Sequence, residues 1–250
     1  MNKQLLSKRL MTVANMVEPT AFLADVGCDH GFLAIYLVKK GIVAKALCTD
    51  INDGPLLRAK EHISNFKSED RITTLLSDGL TNYVSEEKIT ACTVCGMGGF
   101  MGIKILYDSD RLFREMDYFI LQLQSDLEIV RLYLSVSGYE IKTEEITFED
   151  GKYYVAMKVS AKEIIKERFD SYEDVLRILR QRITEINEDR AIDFYFPYYE
   201  GENKDEYRRF LDFMTDKYMG IRKGMPVDSE RIPDIERMLK LMEISRMRYL

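Results

Sequence analysis

Hydrophobic and polar positions divide the chain into two parts with different patterns. Over the first 160 residues, short apolar runs of strand length alternate with longer segments of helical spacing. The predicted strands cover residues 21–24, 45–50, 71–77, 89–94, 116–122, 139–147 and 153–159. The predicted helices between them cover residues 29–38, 53–66 and 126–137. This alternation is typical of an α/β fold with a mostly parallel sheet.

The last two predicted strands are joined by Glu149-Asp150-Gly151-Lys152, a turn sequence typical of a β-hairpin. A hairpin makes the last strand antiparallel, whereas crossover helices keep the earlier strands parallel. We therefore predict a Rossmann-like sheet of seven strands with the last one antiparallel. The loops that end the first four strands then gather at one edge of the sheet.

The pattern after residue 160 is helical throughout. Apolar spacing predicts helices over 172–189, 205–222 and 229–249, and a short segment with a glycine and a proline links the last two. We expect those two helices to pack as an antiparallel pair with coiled-coil character. The sequence thus predicts an α/β domain at 1–160 and a helical domain at 161–250.

An amphipathic helix is predicted over residues 3–17, before the first strand. Its apolar residues share one face, whereas Lys3, Lys8 and Arg9 fall outside that face. Basic side chains in such positions are typical of a solvated surface, and we assign these three to it. The alternative is that they contact a substrate.

The stretch 24–31 ends the first strand and opens the following helix, so it forms a strand-to-helix turn. Gly27 and Gly31 give its backbone freedom, and a helix that begins near Asp29 leaves unpaired N–H groups facing the crevice. These features indicate a cofactor loop. The alternative is an ordinary turn in which Asp29 caps the helix.

The loop lacks the GxGxxG pattern of dinucleotide-binding proteins, and Asp29 stands between its two glycines. A carboxylate at a helix N-terminus repels a pyrophosphate but suits a ligand with an amino group or a sulfonium charge. The sequence therefore favours S-adenosylmethionine over NAD.

Acidic residues end the next two strands. Asp50 lies about twenty residues beyond the loop, where a carboxylate commonly holds ribose hydroxyls. Asp78-Gly79 ends the third strand, and that carboxylate can accept the amino group of an adenine. Either acid can alternatively cap a helix or a turn. The fourth strand leads into Gly96-Met-Gly-Gly99, where the backbone must pass close to a ligand or a substrate base.

Composition indicates a folded protein of the cytoplasm. Hydrophobic residues make up 46% of the 250 residues, which suffices for a core, and no apolar run approaches the roughly 20 residues of a membrane span. No secretory signal pattern opens the chain. A net charge of −6 excludes nucleic-acid binding over the whole surface but allows a local basic patch.

Four cysteines fall in or beside predicted strands, and we interpret them as core thiols. Cys92 and Cys95 match a CxxC spacing, but they lie in an apolar strand rather than at the start of a helix. Only two histidines, His30 and His62, are available as further ligands. We therefore expect neither a redox pair nor a zinc site.

Two features of the helical part allow contact with RNA. Residues 191–199 contain five aromatic side chains without periodicity, which can stack on bases, although packing at a domain joint is the favoured interpretation. Six basic residues of the predicted helical domain can form one stripe. They are Arg208, Arg209, Arg222, Lys223, Arg246 and Arg248.

The ordered set of motifs resembles one family, the bacterial tRNA (adenine-22, N1)-methyltransferases. The motifs are Leu6-Ser-Lys-Arg-Leu10, Asp25-Val-Gly-Cys-Asp-His-Gly31, Asp50, Asp53-Gly-Pro55, Asp78-Gly79, Gly96-Met-Gly-Gly99, Leu121-Gln122 and Glu149-Asp-Gly-Lys152. The resemblance covers residues 5 to about 158. Cys28 replaces a serine of the family pattern and Leu123 a proline, and the second change frees the loop after the fifth strand.

The resemblance implies a class I methyltransferase that moves the methyl group of S-adenosylmethionine to N1 of an adenine in tRNA. It places the cofactor contacts at Asp25, Gly27, Cys28, Asp29, His30, Asp50, Ile51, Asn52, Asp78, Gly79, Gly96, Met97 and Gly98. Gly96 to Gly99 would border the target base, and the helical domain would hold the rest of the tRNA.

Methyl transfer to a ring nitrogen needs alignment more than acid–base catalysis, because N1 attacks with its own lone pair. A carboxylate near the base would then accept the acidified proton of the amino group, and Asp29 is the candidate for this catalytic role. Two alternatives stay open, a small-molecule methyltransferase and a non-catalytic nucleotide-binding interaction protein. In all cases we expect no metal and no membrane, and we favour a monomer.

Overall fold

The computed structural model describes residues 5–162, 167, 169–197 and 204–250. Its central sheet has seven strands in the order β3-β2-β1-β4-β5-β7-β6. Their bounds are β1 Thr20–Val26, β2 Val43–Asp50, β3 Ile72–Leu76, β4 Ala91–Met97, β5 Tyr118–Leu123, β6 Tyr139–Glu149 and β7 Lys152–Ala161. Strands β1 to β5 pair in parallel, and β7 pairs antiparallel to both neighbours. This arrangement confirms the predicted Rossmann-like methyltransferase sheet.

Helices cover both faces of the sheet. One apolar core packs α1 Lys8–Met16, α2 Phe32–Lys39 and α3 Asp53–Asn65 against one face. The core of the other face includes α4 Gly99–Asp108, α5 Asp110–Glu115, α6 Leu127–Val136 and α7 Tyr172–Glu185. Three further helices follow in the chain, α8 Glu188–Tyr195, α9 Lys204–Gly224 and α10 Ile232–Tyr249.

Several predicted helix boundaries are corrected. Helix α2 begins at Phe32 rather than near Asp29, because Gly31 takes the left-handed conformation and serves as its N-cap. The helix predicted over 172–189 ends at Glu185. The helix predicted over 3–17 begins at Lys8, and Lys3 lies outside the described residues. Helices α4, α5 and α8 were not predicted.

The hairpin between β6 and β7 follows the prediction. Glu149 pairs with Lys152, and the two central residues, Asp150 and Gly151, have φ values of 48° and 74°. Two positive φ values in a two-residue loop are the geometry of a type I′ turn, which matches the twist of the flanking strands. The hairpin thereby brings Glu149 to the end of the sheet.

Strand β4 separates the two cysteines of the CxxC spacing. Cys92 belongs to the core on one face of the sheet, whereas Cys95 packs against the core on the other. Burial raises the pKa of both thiols, and all four cysteines are free thiols. The structure thus agrees with their interpretation as core thiols.

Helices α9 and α10 run antiparallel, as two ion pairs between them show. One joins the end of α9 to the start of α10, and the other joins the end of α10 to the middle of α9. Arg222 pairs with Glu236 at 3.4 Å, and Arg246 pairs with Asp212 at 2.7 Å. The two helices share a third apolar core with α8 and with the β6–β7 hairpin. The antiparallel arrangement follows the prediction, and the coiled-coil character stays a prediction.

The first two helices of the C-terminal part are tied to the sheet. Helix α7 contributes Val175, Leu179 and Ile183 to the core of the sheet. In α8, Tyr195 packs against both that core and the third core. Tyr198 and Tyr199 of the aromatic segment lie outside the described residues. The described aromatic side chains of this segment therefore pack at the joint, as the favoured interpretation has it.

A buried ion pair lies at the same joint. Arg131 of α6 donates to Glu144 of β6 from Nε at 3.0 Å and from Nη2 at 2.8 Å, and both side chains are almost fully buried. Its Nη1 donates to the carbonyl of Phe194 in α8. One guanidinium thus connects the helix layer, the edge strand and the C-terminal helices.

Candidate functional site

A cavity of about 440 Å³ opens at the carboxyl ends of the parallel strands. This is where ligands bind in open α/β sheets, at the point where the strand order reverses between β1 and β4. Of the residues expected to contact the cofactor, all but one line it. They are Asp25, Gly27, Cys28, Asp29, His30, Asp50, Ile51, Asn52, Asp78, Gly79, Gly96 and Met97. Gly98 is outside this lining and serves as the N-cap of α4.

The loop after β1 needs glycine at Gly27. Its φ is 69°, and an added Cβ would lie 2.0 Å from Cε of Met97. Its backbone N–H donates to the carbonyl of Thr49 at 2.8 Å, which fixes the loop to the neighbouring strand. The loop therefore packs closely against the side chain of Met97 within the lining of the cavity.

Asp25 is a buried carboxyl in the lining of the cavity. It is 3% exposed, and burial raises the pKa of this carboxyl to about 6. Thr93 of β4 donates a hydrogen bond to its Oδ1 at 2.8 Å, which partly offsets the effect of burial. A cationic ligand group beside this carboxyl would favour its ionised form.

Asp29 lies at the mouth of the cavity rather than at its base. Its side chain is 61% exposed, and its φ of 46° is left-handed. The carboxylate pairs with Nη2 of Arg58 at 3.1 Å and with Nε2 of His30 at 3.4 Å. The alternative interpretation as a helix cap is wrong, because the cap of α2 is Gly31.

Asp50 ends β2 and directs its carboxylate to the loop that follows. Its Oδ1 accepts a hydrogen bond from the backbone N–H of Asn52 at 3.0 Å. Asn52, not Asp50, is the N-cap of α3, and its side chain makes no capping bond. The acid therefore stabilises the turn and presents its carboxylate to the cavity.

Asp78 carries a counter-ion. Lys104 of α4 bonds its Oδ2 at 3.0 Å and also reaches Asp108 at 2.5 Å. Both hydrogen bonds raise the pKa of Lys104 above its usual range, and the bond to Asp108 has the larger effect. The following Gly79 has a φ of 62°, and an added Cβ there would lie 3.1 Å from Ile105, another lining residue.

The glycine turn after β4 approaches protein as well as the cavity. An added Cβ at Gly99 would lie 2.4 Å from the backbone carbonyl of Ser125, in the loop after β5. Gly99 also donates its N–H to Oγ of Ser125 at 3.3 Å. Gly96 lines the cavity. The expected approach to a ligand therefore applies to Gly96 at the start of the turn. Gly99, at its end, packs against the loop after β5 instead.

Arg9 lines the cavity, so its assignment to the solvated surface is wrong. Its Nη1 donates to Oε1 of Gln122 at 3.0 Å, and its Nε lies 3.6 Å from Glu149. The guanidinium also stacks over the ring of Tyr154. The motifs around Arg9 and Glu149 are the signal in the sequence that could have identified Arg9. The two motifs are in contact, because the backbone N–H of Lys8 donates a hydrogen bond to the carboxylate of Glu149.

The described residues contain neither a cluster of metal ligands nor a helix suited to a membrane. No group of three or more His, Cys, Asp or Glu side chains there is arranged to hold a metal ion. No helix in the described ranges has the length and apolarity needed to cross a membrane.

The basic stripe expected on the C-terminal helices is largely neutralised. Five of its six members form ion pairs with acids in the structure: Arg208 with Asp205, Arg209 with Glu206, Arg222 with Glu236, Arg246 with Asp212, and Arg248 with Asp193. A strongly cationic face is therefore not formed by these residues.

Comparison with known proteins agrees with the geometry. Residues 6–157 match the family described as a methyltransferase domain. The tRNA (adenine(22)-N(1))-methyltransferase of Bacillus subtilis is 33% identical over 161 residues, which cover 64% of this chain and 67% of that protein. The match includes the strand ends that line the cavity.

Solved structures share the fold over nearly the whole chain. The structure of M. capricolum TrmK with S-adenosyl-homocysteine superposes with a TM-score of 0.77 at 22% identity and covers 99% of this chain and 100% of that one. The crystal structure of the B. subtilis m1A22 tRNA methyltransferase TrmK gives a TM-score of 0.65 at 25% identity, covering 96% of this chain and 97% of that one. The chain therefore belongs to the methyltransferase-domain family, together with the tRNA (adenine(22)-N(1))-methyltransferase of Bacillus subtilis.

Proposed function

We propose that this protein transfers the methyl group of S-adenosylmethionine to N1 of an adenine in tRNA, at position 22. The observation that carries the proposal is the convergence of four strand-end carboxyls and two glycine turns on one cavity. The family membership supports methyl transfer, and the named relative supports the tRNA adenine as its target.

The cavity residues fit the cofactor in size and charge. A volume of about 440 Å³ lies in the range of small-molecule sites. Asp25 and Asp29 supply negative charge for an amino group and a sulfonium, Asp50 for ribose hydroxyls, and Asp78 for the adenine amino group. Apolar side chains provide flat contact for the adenine ring, namely Leu33, Ile51, Met101 and Ile105.

S-adenosylmethionine, when bound, supplies an electrophilic methyl carbon. The protein contributes the alignment of that carbon with the attacking nitrogen, which accounts for a large part of the acceleration in such displacements. The glycine turn at Gly96 leaves room beside the cavity for a base. Arg9, fixed by Gln122 and Glu149, closes the same side of the cavity and supports a carboxylate or phosphate group there.

Asp29 is the proposed proton acceptor. Methylation at N1 acidifies the neighbouring amino group, and an exposed carboxylate at the mouth is placed to receive its proton. Arg58 orients that carboxylate through their 3.1 Å contact. On this proposal, Asp29→Asn lowers kcat for methyl transfer more than it changes the affinity for S-adenosyl-homocysteine.

The proposed division of labour assigns cofactor binding to residues 1–160 and tRNA binding to 161–250. A structured RNA must extrude its base to reach the cavity, and the helical part would hold the remainder. Truncation after residue 160 is an unsuitable test, because Val175, Leu179 and Ile183 complete the core of the sheet. Substitutions on the helical surface of the full chain are the appropriate experiment. We further propose that the protein acts as a monomer in the cytoplasm.

The test uses the purified full chain, methyl-labelled S-adenosylmethionine and two unmodified tRNA transcripts that differ only in adenine or guanine at position 22. The proposal expects label in the first transcript alone. Label in neither transcript, from protein that binds the cofactor, would favour a small-molecule methyltransferase or an interaction protein. Equal label in both would reject position 22 as the target.

A further inference from the structure

The basic residues beside the cavity differ in whether they have an acidic partner. Arg9, Arg58 and Lys104 each pair with a carboxylate at 3.6 Å, 3.1 Å and 3.0 Å. Arg180 of α7 has no acidic partner among the described residues, and its side chain is exposed. Within the described ranges, no carboxylate therefore neutralises the charge of Arg180.

Arg180 is held in place by an aromatic ring next to the cavity. Its guanidinium carbon lies 4.6 Å from the ring centre of Phe100, near the start of α4. Tyr172 of α7 donates a hydrogen bond from its hydroxyl to the carbonyl of Phe100 at 2.6 Å, which connects the two helices. The next residue, Met101, is 48% exposed and lines the cavity. Arg180 thus contacts the residue that directly precedes a cavity-lining residue of α4.

The charge of the cavity lining favours a cation beside it. The lining contains four aspartates, of which Asp29 and Asp78 are paired with Arg58 and Lys104. Asp25 and Asp50 have no basic partner among the described residues, and their ionised forms repel the phosphates of an RNA. An extruded nucleotide enters such a site with its base, while its flanking phosphates remain at the rim. A guanidinium packed over a ring has lost part of its freedom already, and its planar fork suits two phosphate oxygens.

We propose that Arg180, supported by Phe100, binds a backbone phosphate of the RNA next to the target nucleotide. The inference rests on the proposed function, since it specifies how that RNA is held at the cavity. It assigns α7, rather than the ion-paired stripe of α9 and α10, as an element that contacts the RNA beside the target base.

Arg177 provides a matched control on the same helix. It lies one turn earlier, is also exposed, and pairs with Asp174 at 2.8 Å. Arg180→Gln and Arg177→Gln remove the same charge from the same surface. We expect Arg180→Gln to raise KM for tRNA about tenfold and to reduce the salt dependence of RNA binding by about one phosphate contact. We expect Arg177→Gln to leave both within about twofold of wild type.

Three further readouts separate this role from a structural one. Arg180→Lys keeps the charge but loses the planar fork, so it should recover only part of the affinity for RNA, while kcat and the affinity for S-adenosyl-homocysteine stay unchanged in all variants. Equal KM values for Arg180→Gln and Arg177→Gln would overturn the inference and leave the proposed function intact. A wild-type protein that neither binds nor methylates tRNA would instead refute the proposed function itself.

Discussion

Thr93 and Asp25 form a hydrogen bond of 2.8 Å between neighbouring strands, inside the lining of the cavity. The bond gives the buried carboxyl one donor, which is too little to offset its desolvation, and the pKa of Asp25 stays raised at about 6. A cation that enters the cavity would stabilise the ionised form of Asp25, which the single hydrogen bond stabilises only in part. The pair therefore links the stability of the fold to the charge of its ligand.

The first prediction concerns pH. Because the pKa of Asp25 is about 6 in the folded state and near 3.8 when unfolded, the unfolded chain binds fewer protons between these values. This carboxyl therefore lowers stability as pH rises from about 4 to 6, by up to about 3 kcal/mol above that range. Asp25→Asn should be more stable than wild type at pH 7.5, and its advantage should shrink by about 1 kcal/mol at pH 5.

Urea unfolding of both proteins at the two pH values measures this difference. The same variant should lose affinity for S-adenosyl-homocysteine, because the amide carries no charge for the amino group. An advantage that is independent of pH would show that Asp25 is not the titrating group.

The second prediction concerns the glycine loop. Gly27 and Gly41 have nearly equal φ values, 69° and 71°, but an added Cβ at Gly41 meets nothing within 4 Å. Both alanine variants should lose about 1–2 kcal/mol of stability from the left-handed backbone. Only Gly27→Ala should also lower the affinity for S-adenosyl-homocysteine, by at least about tenfold, since its methyl group would displace Met97 into the cavity. Calorimetric titration of the two variants provides the comparison.

The third prediction concerns the acid at the end of β2. Asp50→Asn removes the charge from hydrogen bonds to the ribose, and such bonds contribute about 1.5–3 kcal/mol. We expect the dissociation constant for S-adenosyl-homocysteine to rise about 10- to 100-fold. Asp53→Asn is the control, because Asp53 lies in the first turn of α3 and outside the cavity lining. Similar losses in both variants would contradict a specific role for Asp50.

The fourth prediction concerns the buried ion pair at the joint. Removal of Arg131 takes the guanidinium from a buried carboxylate, so Arg131→Ala should destabilise the fold by about 3–5 kcal/mol. The double variant Arg131→Met with Glu144→Leu should recover part of that loss, because it buries no charge. Urea unfolding of the three proteins tests this expectation. A double variant no more stable than Arg131→Ala would contradict the expectation that the remaining buried charge causes the loss.

Much of the fold follows from local pattern. Strands β1 to β4 are short and parallel, and an aspartate or a glycine lies within two residues of the end of each, at one edge of the sheet. That edge rule alone brings Asp25, Asp50, Asp78 and Gly96 together, and the structure places all four around one cavity.

The misses have physical causes. Helix α4 lies between the sheet and α7, so apolar residues occur on most of its sides and its helical period is obscured. Helix α8 is short and aromatic, and tertiary packing at the joint stabilises it. Arg9 falls outside the apolar face of α1, and only the fold of the β6–β7 hairpin brings Glu149 to it. The start of α2 moved because Gly31, with φ of 70°, caps the helix.

The central claim is that the cavity at the strand ends binds an S-adenosyl ligand. Calorimetric titration of S-adenosyl-homocysteine into the full chain at pH 7.5 tests it most directly. The account predicts one ligand per chain with a dissociation constant in the micromolar range, and weaker binding by Gly27→Ala than by Gly41→Ala. Folded protein that gives no binding heat at millimolar ligand, at two temperatures, would contradict it.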